Sequence, residues 1–242
     1  MRKTLLVFAA AVVVVGALAS TAAANHSWGG YHWARTANPF TIQVGDNVSS
    51  AWDSHLRTAA ADWSADTAGN PLNATVVAGA SKGKCRATSG RVEACNGSYG
   101  NNGWLGLAQI WVTSAGHITR GTVKVNDTYF NTPKYNTATW RASVMCQEVG
   151  HMWGLDHQDE SGPDFHTCMD YATNPDADNT HPNRHDYEEL AIIYSHVDAT
   201  ATIGRAPSSS TRVVRVDRKN NSVIERRFAD GSRQVTFIIW AR

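Results

Sequence analysis

The spacing of apolar residues divides the chain into short strands followed by longer helices. Alternation of apolar and polar positions is typical of strands, and it predicts strands at residues 39–44, 73–79, 104–112 and 121–127. Apolar residues three and four positions apart indicate helices, which the pattern places at residues 50–66, 137–154 and 185–197. Residues 80–103, rich in Gly, Ser and Asn, are predicted to be a loop. Strands that precede helices without βαβ alternation favour an α+β fold.

The first 24 residues have the features of a secretory signal peptide. Arg2 and Lys3 precede an apolar run at residues 5–19, and three alanines end just before Asn25. Such a run is shorter than the roughly 20 residues that span a bilayer, so cleavage and secretion are expected rather than a membrane anchor. The alternative is an uncleaved anchor.

The net charge of +1 hides two segments of opposite sign. Residues 25–204 carry 11 Lys and Arg against 18 Asp and Glu, whereas residues 205–242 carry 9 against 3. We therefore expect one domain over residues 25–200 and a basic extension over 201–242, with two or three strands, that docks on the acidic body. Binding to an anionic surface is the alternative, but the aromatic interleaving typical of nucleic-acid binding is missing.

Four cysteines in an exported chain suggest two disulfides. Cys85 and Cys95 are close enough to staple a loop, which leaves Cys146 to pair with Cys168. Sequence alone permits three pairings.

The stretch CQEVGHMWGLDH, residues 146–157, carries the candidate chemistry. Gln147 and His151 are four residues apart, so both side chains project from one helix face. Glu148 stands beside them as a candidate general base, and Gly154 can end the helix and return His157 to the same place. Two histidines and a third ligand, with one position open, are typical of catalytic zinc. The alternative is a structural helix with incidental histidines.

These residues resemble the metzincin metalloproteases, of the matrixin and astacin kind, whose helix contains H-E-x-x-H-x-x-G-x-x-H. This chain matches every position except the first histidine, where Gln147 stands. The segment TCMDY, residues 167–171, is similar to the Met-turn of that family, with Met169 beneath the metal and Tyr171 as a ligand or oxyanion stabiliser. The resemblance implies a twisted mixed sheet with an active-site helix, a Met-turn and a C-terminal helix. It also implies that strand 104–112 pairs with an extended peptide substrate.

Two functions follow from the resemblance. The first is a secreted, monomeric endopeptidase that hydrolyses peptide bonds with one Zn²⁺, held by Gln147, His151 and His157, and with Glu148 as general base. The second is a catalytically dead pseudo-protease that binds extracellular proteins. Gln147 is expected to ligate zinc through its carbonyl oxygen, and the alternative is that it only bonds the metal water.

The remaining histidines show no ligand spacing and are expected to be surface or hydrogen-bonded residues. They are His26, His32, His55, His117, His166, His181, His185 and His196. Among them His166 is the best spare ligand because it lies close to the Met-turn in sequence. Calcium is a further expectation for the acidic loop after residue 157, although EF-hand spacing is missing.

Overall fold

The computed structural model describes residues 26–65, 67–81, 84–158, 160, 163–171, 174–205, 212–219 and 221–242. The expected signal peptide therefore lies outside the described residues. Within them, no helix combines the length and the apolar character that a membrane crossing requires.

The fold class is α+β, as the sequence predicted. The strands are β1 (His32–Trp33), β2 (Phe40–Asn47), β3 (Leu72–Ala78), β4 (Val92–Gly97), β5 (Trp104–Val112), β6 (His117–Asn126), β7 (Val213–Arg218), β8 (Val223–Phe228) and β9 (Arg233–Trp240). The helices are α1 (Ser50–Trp63), α2 (Asp127–Phe130), α3 (Ala138–His151) and α4 (Arg184–Ile193). A single turn of 3₁₀ helix covers Asp178–Thr180.

The nine strands of the described chain form one mixed sheet in the order β3-β2-β4-β6-β5-β9-β8-β7, with β1 paired to β6. The strands β2 and β3 are parallel neighbours, and α1 connects them. The chain therefore does contain a βαβ unit, contrary to the sequence expectation. A parallel pair requires such a crossover, because a tight hairpin cannot join parallel strands.

The predicted loop at residues 80–103 contains a central strand. β4 runs parallel to both β2 and β6 and lies between them. Val92 and Ala94 are fully buried there, and Cys95 forms a disulfide with Cys85. The strand has only two strongly buried aliphatic residues among turn-forming neighbours, so its pairing on both sides rather than its own pattern defines it.

Helix α1 buries the apolar face that the sequence predicted. That face consists of Trp52, Leu56, Ala59, Ala60 and Trp63. Trp63 Nε1 donates to the carbonyl of Cys146 at 2.9 Å, which fixes α1 against α3.

All three long helices are shorter than predicted. α1 ends at Trp63, α3 ends at His151 and α4 ends at Ile193. After α3 the chain turns at Gly154, whose φ is +95°. A Cβ at this position would lie 1.9 Å from the carbonyl oxygen of Tyr31, so only glycine fits.

The basic extension docks through strand pairing. β9 runs antiparallel to β5 along its whole length, from Trp104 opposite Trp240 to Val112 opposite Arg233. β5 therefore lies between β6 and β9, and both of its edges are paired within the described chain.

Apolar burial, rather than opposite charge, holds the extension in place. Val223, Val235, Phe237 and Ile239 all join the hydrophobic core. The ion pairs of Arg215, Arg227 and Arg233 are made with Asp217 and Glu225, which belong to the extension itself.

Candidate active site

Helix α3 carries three of the predicted site residues into the interior. Thr137 caps its first turn by accepting a hydrogen bond from the Trp140 amide at 3.1 Å. Gln147 is 3 % exposed, and Glu148 and His151 are fully buried. The chain after the helix returns His157 to the same place.

The two histidines converge through their Nε2 atoms, which lie 3.2 Å apart. The His151 Nδ1 atom lies 2.9 Å from the Leu155 carbonyl oxygen, and the His157 Nδ1 atom lies 2.7 Å from Glu160 Oε1. Each Nδ1 therefore donates its hydrogen to an oxygen, which leaves a lone pair on each Nε2. Histidines that bind metals are commonly oriented in this way. Burial, followed by the neighbouring His157, keeps the pKa of His151 well below its usual value, so its ring stays neutral.

Glu148 is the polar group of the site that the rest of the described chain leaves unsatisfied. Neither carboxylate oxygen has a hydrogen-bond partner among the described residues. The carboxylate lies over Gly106 of β5, where a Cβ would approach Oε1 to 2.2 Å, so a side chain at 106 would displace it. Burial holds the pKa of Glu148 well above its usual value. A buried carboxyl group with no partner is costly unless a ligand or a reaction uses it.

The nitrogen of the Gln147 side-chain amide has a hydrogen-bond partner. Its Nε2 atom donates to the carbonyl oxygen of Asp170 at 2.7 Å. A carbonyl accepts only from a donor, so the amide nitrogen is the atom that faces Asp170. The side-chain oxygen Oε1 is therefore the atom left for another partner.

The predicted Met-turn lies directly beneath α3. Met169 is fully buried, and its sulfur lies so near Gly150 that a Cβ there would approach it to 2.4 Å. Cys146 and Cys168 form a disulfide with a Cα–Cα distance of 5.9 Å. The disulfide and the Gln147 hydrogen bond thus tie adjacent positions of the helix to the same turn.

Tyr171 lies at the site, but its hydroxyl is engaged by the C-terminal extension. The hydroxyl donates to the Ile238 carbonyl oxygen at 3.2 Å and accepts from the Trp240 amide at 2.9 Å. Its ring meets the ring of His157 edge-on, with centroids 4.9 Å apart. Burial raises the pKa of Tyr171, so the hydroxyl remains a donor at neutral pH.

The extension also covers His151. The Phe237 ring of β9 stacks on the imidazole with centroids 4.2 Å apart and planes 6° from parallel. Beside this contact, Glu160, Tyr171 and Trp240 line part of a cavity of about 410 Å³ between the Met-turn and the extension. β9 therefore covers the edge of β5 and one face of His151.

The donor set could hold a metal ion. It consists of two imidazole nitrogens with anchored rings, an amide oxygen nearby in sequence and an unsatisfied carboxylate. His166 is not part of this set, because its ring is exposed and lies beside Asp164 and Asp178. Within the described residues, the expected calcium loop forms no group of three acidic ligands.

The sequence did not predict one further group of side chains. His32, His117 and Asp198 lie close enough for their ligand atoms to hold one ion. They are far apart in sequence and carry no spacing motif, so only the fold brings them together.

Comparisons with known proteins add little to this geometry. No protein-family model and no curated protein matches the sequence. Sixteen chains of solved structures match, and one is titled "Structure of myroilysin", with 13 % identity, a TM-score of 0.38, and coverage of 67 % of this chain and 96 % of that chain. A structural similarity this weak does not support a functional assignment, so the function is inferred from the site itself.

Proposed function

We propose that this protein is a zinc-dependent endopeptidase whose substrate groove is closed by its own C-terminal extension. The observation that carries the proposal is the pair of Nε2 atoms of His151 and His157, 3.2 Å apart, with both Nδ1 atoms anchored. The unsatisfied carboxylate of Glu148 supports it.

His151, His157 and the Oε1 atom of Gln147 would hold the ion. When bound, zinc polarises a carbonyl group and makes water a stronger nucleophile. Glu148 would accept the proton of the attacking water at a carboxylate oxygen and pass it to the departing amine nitrogen. Tyr171, once released from Ile238, would donate its hydroxyl hydrogen to the oxygen that becomes negative in the transition state.

The extension indicates the class of substrate. β9 pairs antiparallel with β5 beside His151 and Tyr171, and this pairing supports an extended peptide as the substrate. A peptide would bind in the same way through backbone hydrogen bonds. It would compete with β9, so activity would require release of the extension.

A binding module without catalysis is the second candidate. It is favoured by the same contacts of β9, since Phe237 on His151 and the backbone bonds of Tyr171 fill the groove. In that case the groove would bind an extended segment and leave it intact.

We also propose that the protein is secreted and monomeric. The amino-terminal segment of residues 1–24 and the two disulfides, Cys85–Cys95 and Cys146–Cys168, support export to an oxidising compartment.

The decisive experiment compares Glu148→Gln with Glu189→Gln. Glu189 is also buried, but it belongs to α4 and interacts with Ser27 and His185, so it is a matched control. We expect wild type and Glu189→Gln to cleave casein or a quenched-fluorescent peptide mixture. Chelator should abolish cleavage, and added zinc should restore it.

Glu148→Gln should lose activity by about 10²- to 10⁴-fold while its zinc content, measured by mass spectrometry, stays that of wild type. Cleavage that survives both chelation and Glu148→Gln would overturn the proposal. Zinc binding together with peptide binding, but no cleavage in any form of the protein, would favour the binding module.

A further inference from the structure

Four side chains from three distant segments converge on one point away from α3. His32 belongs to β1, His117 is the first residue of β6, and His196 and Asp198 follow α4. The pairing of β1 with β6 places His32 directly opposite His117.

Their ligand atoms lie unusually close together. Asp198 Oδ1 is 3.3 Å from His32 Nε2 and 3.3 Å from His117 Nε2. His196 Nε2 is 3.2 Å from His32 Nε2 and 3.8 Å from the same carboxylate oxygen. Three imidazole nitrogens thus approach a single oxygen.

In two of these side chains, the polar atom that points away from the cluster already has a hydrogen-bond partner. His32 Nδ1 lies 2.9 Å from the Gly30 carbonyl oxygen, so it carries a hydrogen and donates. Asp198 Oδ2 accepts from the backbone amide and from Nη1 of Arg35, both at 3.1 Å. The atoms left over are His32 Nε2 and Asp198 Oδ1, which face each other.

A metal ion at the centre of this cluster would contact all of these groups at once. The ligand atoms of His32, His117 and Asp198 all lie within 4.8 Å of one another. The Nε2 atom of His196 lies 3.8 Å from the same carboxylate oxygen.

We propose that His32, His117, His196 and Asp198 form a second, structural zinc site. Zinc–nitrogen bonds of about 2.0–2.1 Å in a tetrahedron separate the ligand atoms by roughly 3.3 Å, close to the 3.2–3.3 Å separations around His32 and Asp198. His196, whose side chain is 50 % exposed, has room to close its longer distance. Three imidazoles and one carboxylate suit Zn²⁺ better than Ca²⁺ or Mg²⁺, which prefer oxygen ligands.

Four protein ligands leave no open position, so the site is structural rather than catalytic. Zinc there would join β1, the start of β6 and the segment after α4. Linking segments so far apart in sequence stabilises the folded state, because the metal site does not exist in the unfolded chain.

The test uses the double variant His117→Gln/His196→Gln in the full secreted chain. Both side chains are partly exposed, so their replacement spares the core. His55→Gln, on α1, is the matched control. Zinc content by mass spectrometry, competition with a chromophoric chelator, and Tm with and without Zn²⁺ are measured on each protein.

We expect the double variant to hold one zinc fewer per chain than wild type and the control. Its zinc-induced rise in Tm should shrink, and Co²⁺-loaded protein should lose the part of its visible absorption that is due to this site. Because the comparison is with wild type, the result does not depend on whether the α3 site binds zinc.

Equal zinc content and equal Tm responses in all three proteins would overturn the proposal. So would a wild-type Tm that is the same in the presence of added zinc and of chelator.

Discussion

Replacement of Gln147 separates its two proposed roles, as a ligand and as a link to the Met-turn. Gln147→Ala removes the donor that faces the Asp170 carbonyl at 2.7 Å. The carbonyl then loses that partner in a buried position, which costs about 1–3 kcal/mol of unfolding free energy. The same change removes Oε1, and zinc affinity should fall at least about tenfold.

Gln147→His should have the opposite effect on zinc. Imidazole nitrogen is a better zinc donor than an amide oxygen. The new ring can also donate from Nδ1 to a carbonyl, as His151 does to Leu155 at 2.9 Å. We therefore expect zinc affinity at least about tenfold above wild type, with the stability of the metal-free protein nearly unchanged.

Titration against a competing chelator measures affinity, and urea unfolding of the metal-free protein measures stability. Gln109→Ala is the control. Gln109 lies on β5, and its Nε2 atom also donates a partly buried hydrogen bond, to Thr236 Oγ1 at 3.1 Å. Wild-type zinc affinity in Gln147→Ala would refute ligation. If stability fell in that variant all the same, the amide would serve only as a link between α3 and the Met-turn.

Two further predictions concern the extension and the dependence of stability on pH. Tyr135→Phe removes a hydroxyl that donates to the Arg242 carbonyl at 2.6 Å and accepts from the Arg242 amide at 2.8 Å. We expect faster hydrogen exchange in β9 and several-fold higher peptidase activity. If neither value changed, closure of the groove by the extension would be contradicted. Burial lowers the pKa of His26 to about 4 from 6.5, so the folded state disfavours its protonation and stability is lost as pH falls through that range, by up to about 3 kcal/mol. Urea titrations at pH 7 and pH 4 should show a smaller loss of stability in His26→Gln than in wild type. The effects of His151, whose pKa is also lowered by burial, and of Asp186, whose pKa is raised to about 6 by burial, are present in both proteins. An equal loss in both would show that His26 is not the cause.

The sequence alone determined the features that depend on neighbouring residues. The spacing of Gln147 and His151 predicted their common direction, because a helix places residues four apart on one face. Gly154 predicted the end of the helix and the turn that returns His157 to them. The apolar face of α1 followed from the same period. The proximity of Cys85 to Cys95 likewise predicted the disulfide that the structure contains.

Tertiary structure decided the features that join segments far apart in the chain. β4 is a strand because β2 and β6 pair with it on both sides, and its own six residues give almost no pattern. The pairing of β9 with β5 could not be predicted from the sequence either, since alternation of apolar and polar residues indicates a strand but not its partner.

The second histidine cluster shows the same limit. His32, His117 and Asp198 are separated by about 80 residues at each step and meet only because β1 pairs with β6 and the chain after α4 returns to them. Local periodicity depends only on residues close in sequence, so it does not predict such contacts. The sequence therefore predicted the face of α3 that presents Gln147 and His151, and the fold determined what covers that face and which distant side chains form the second cluster.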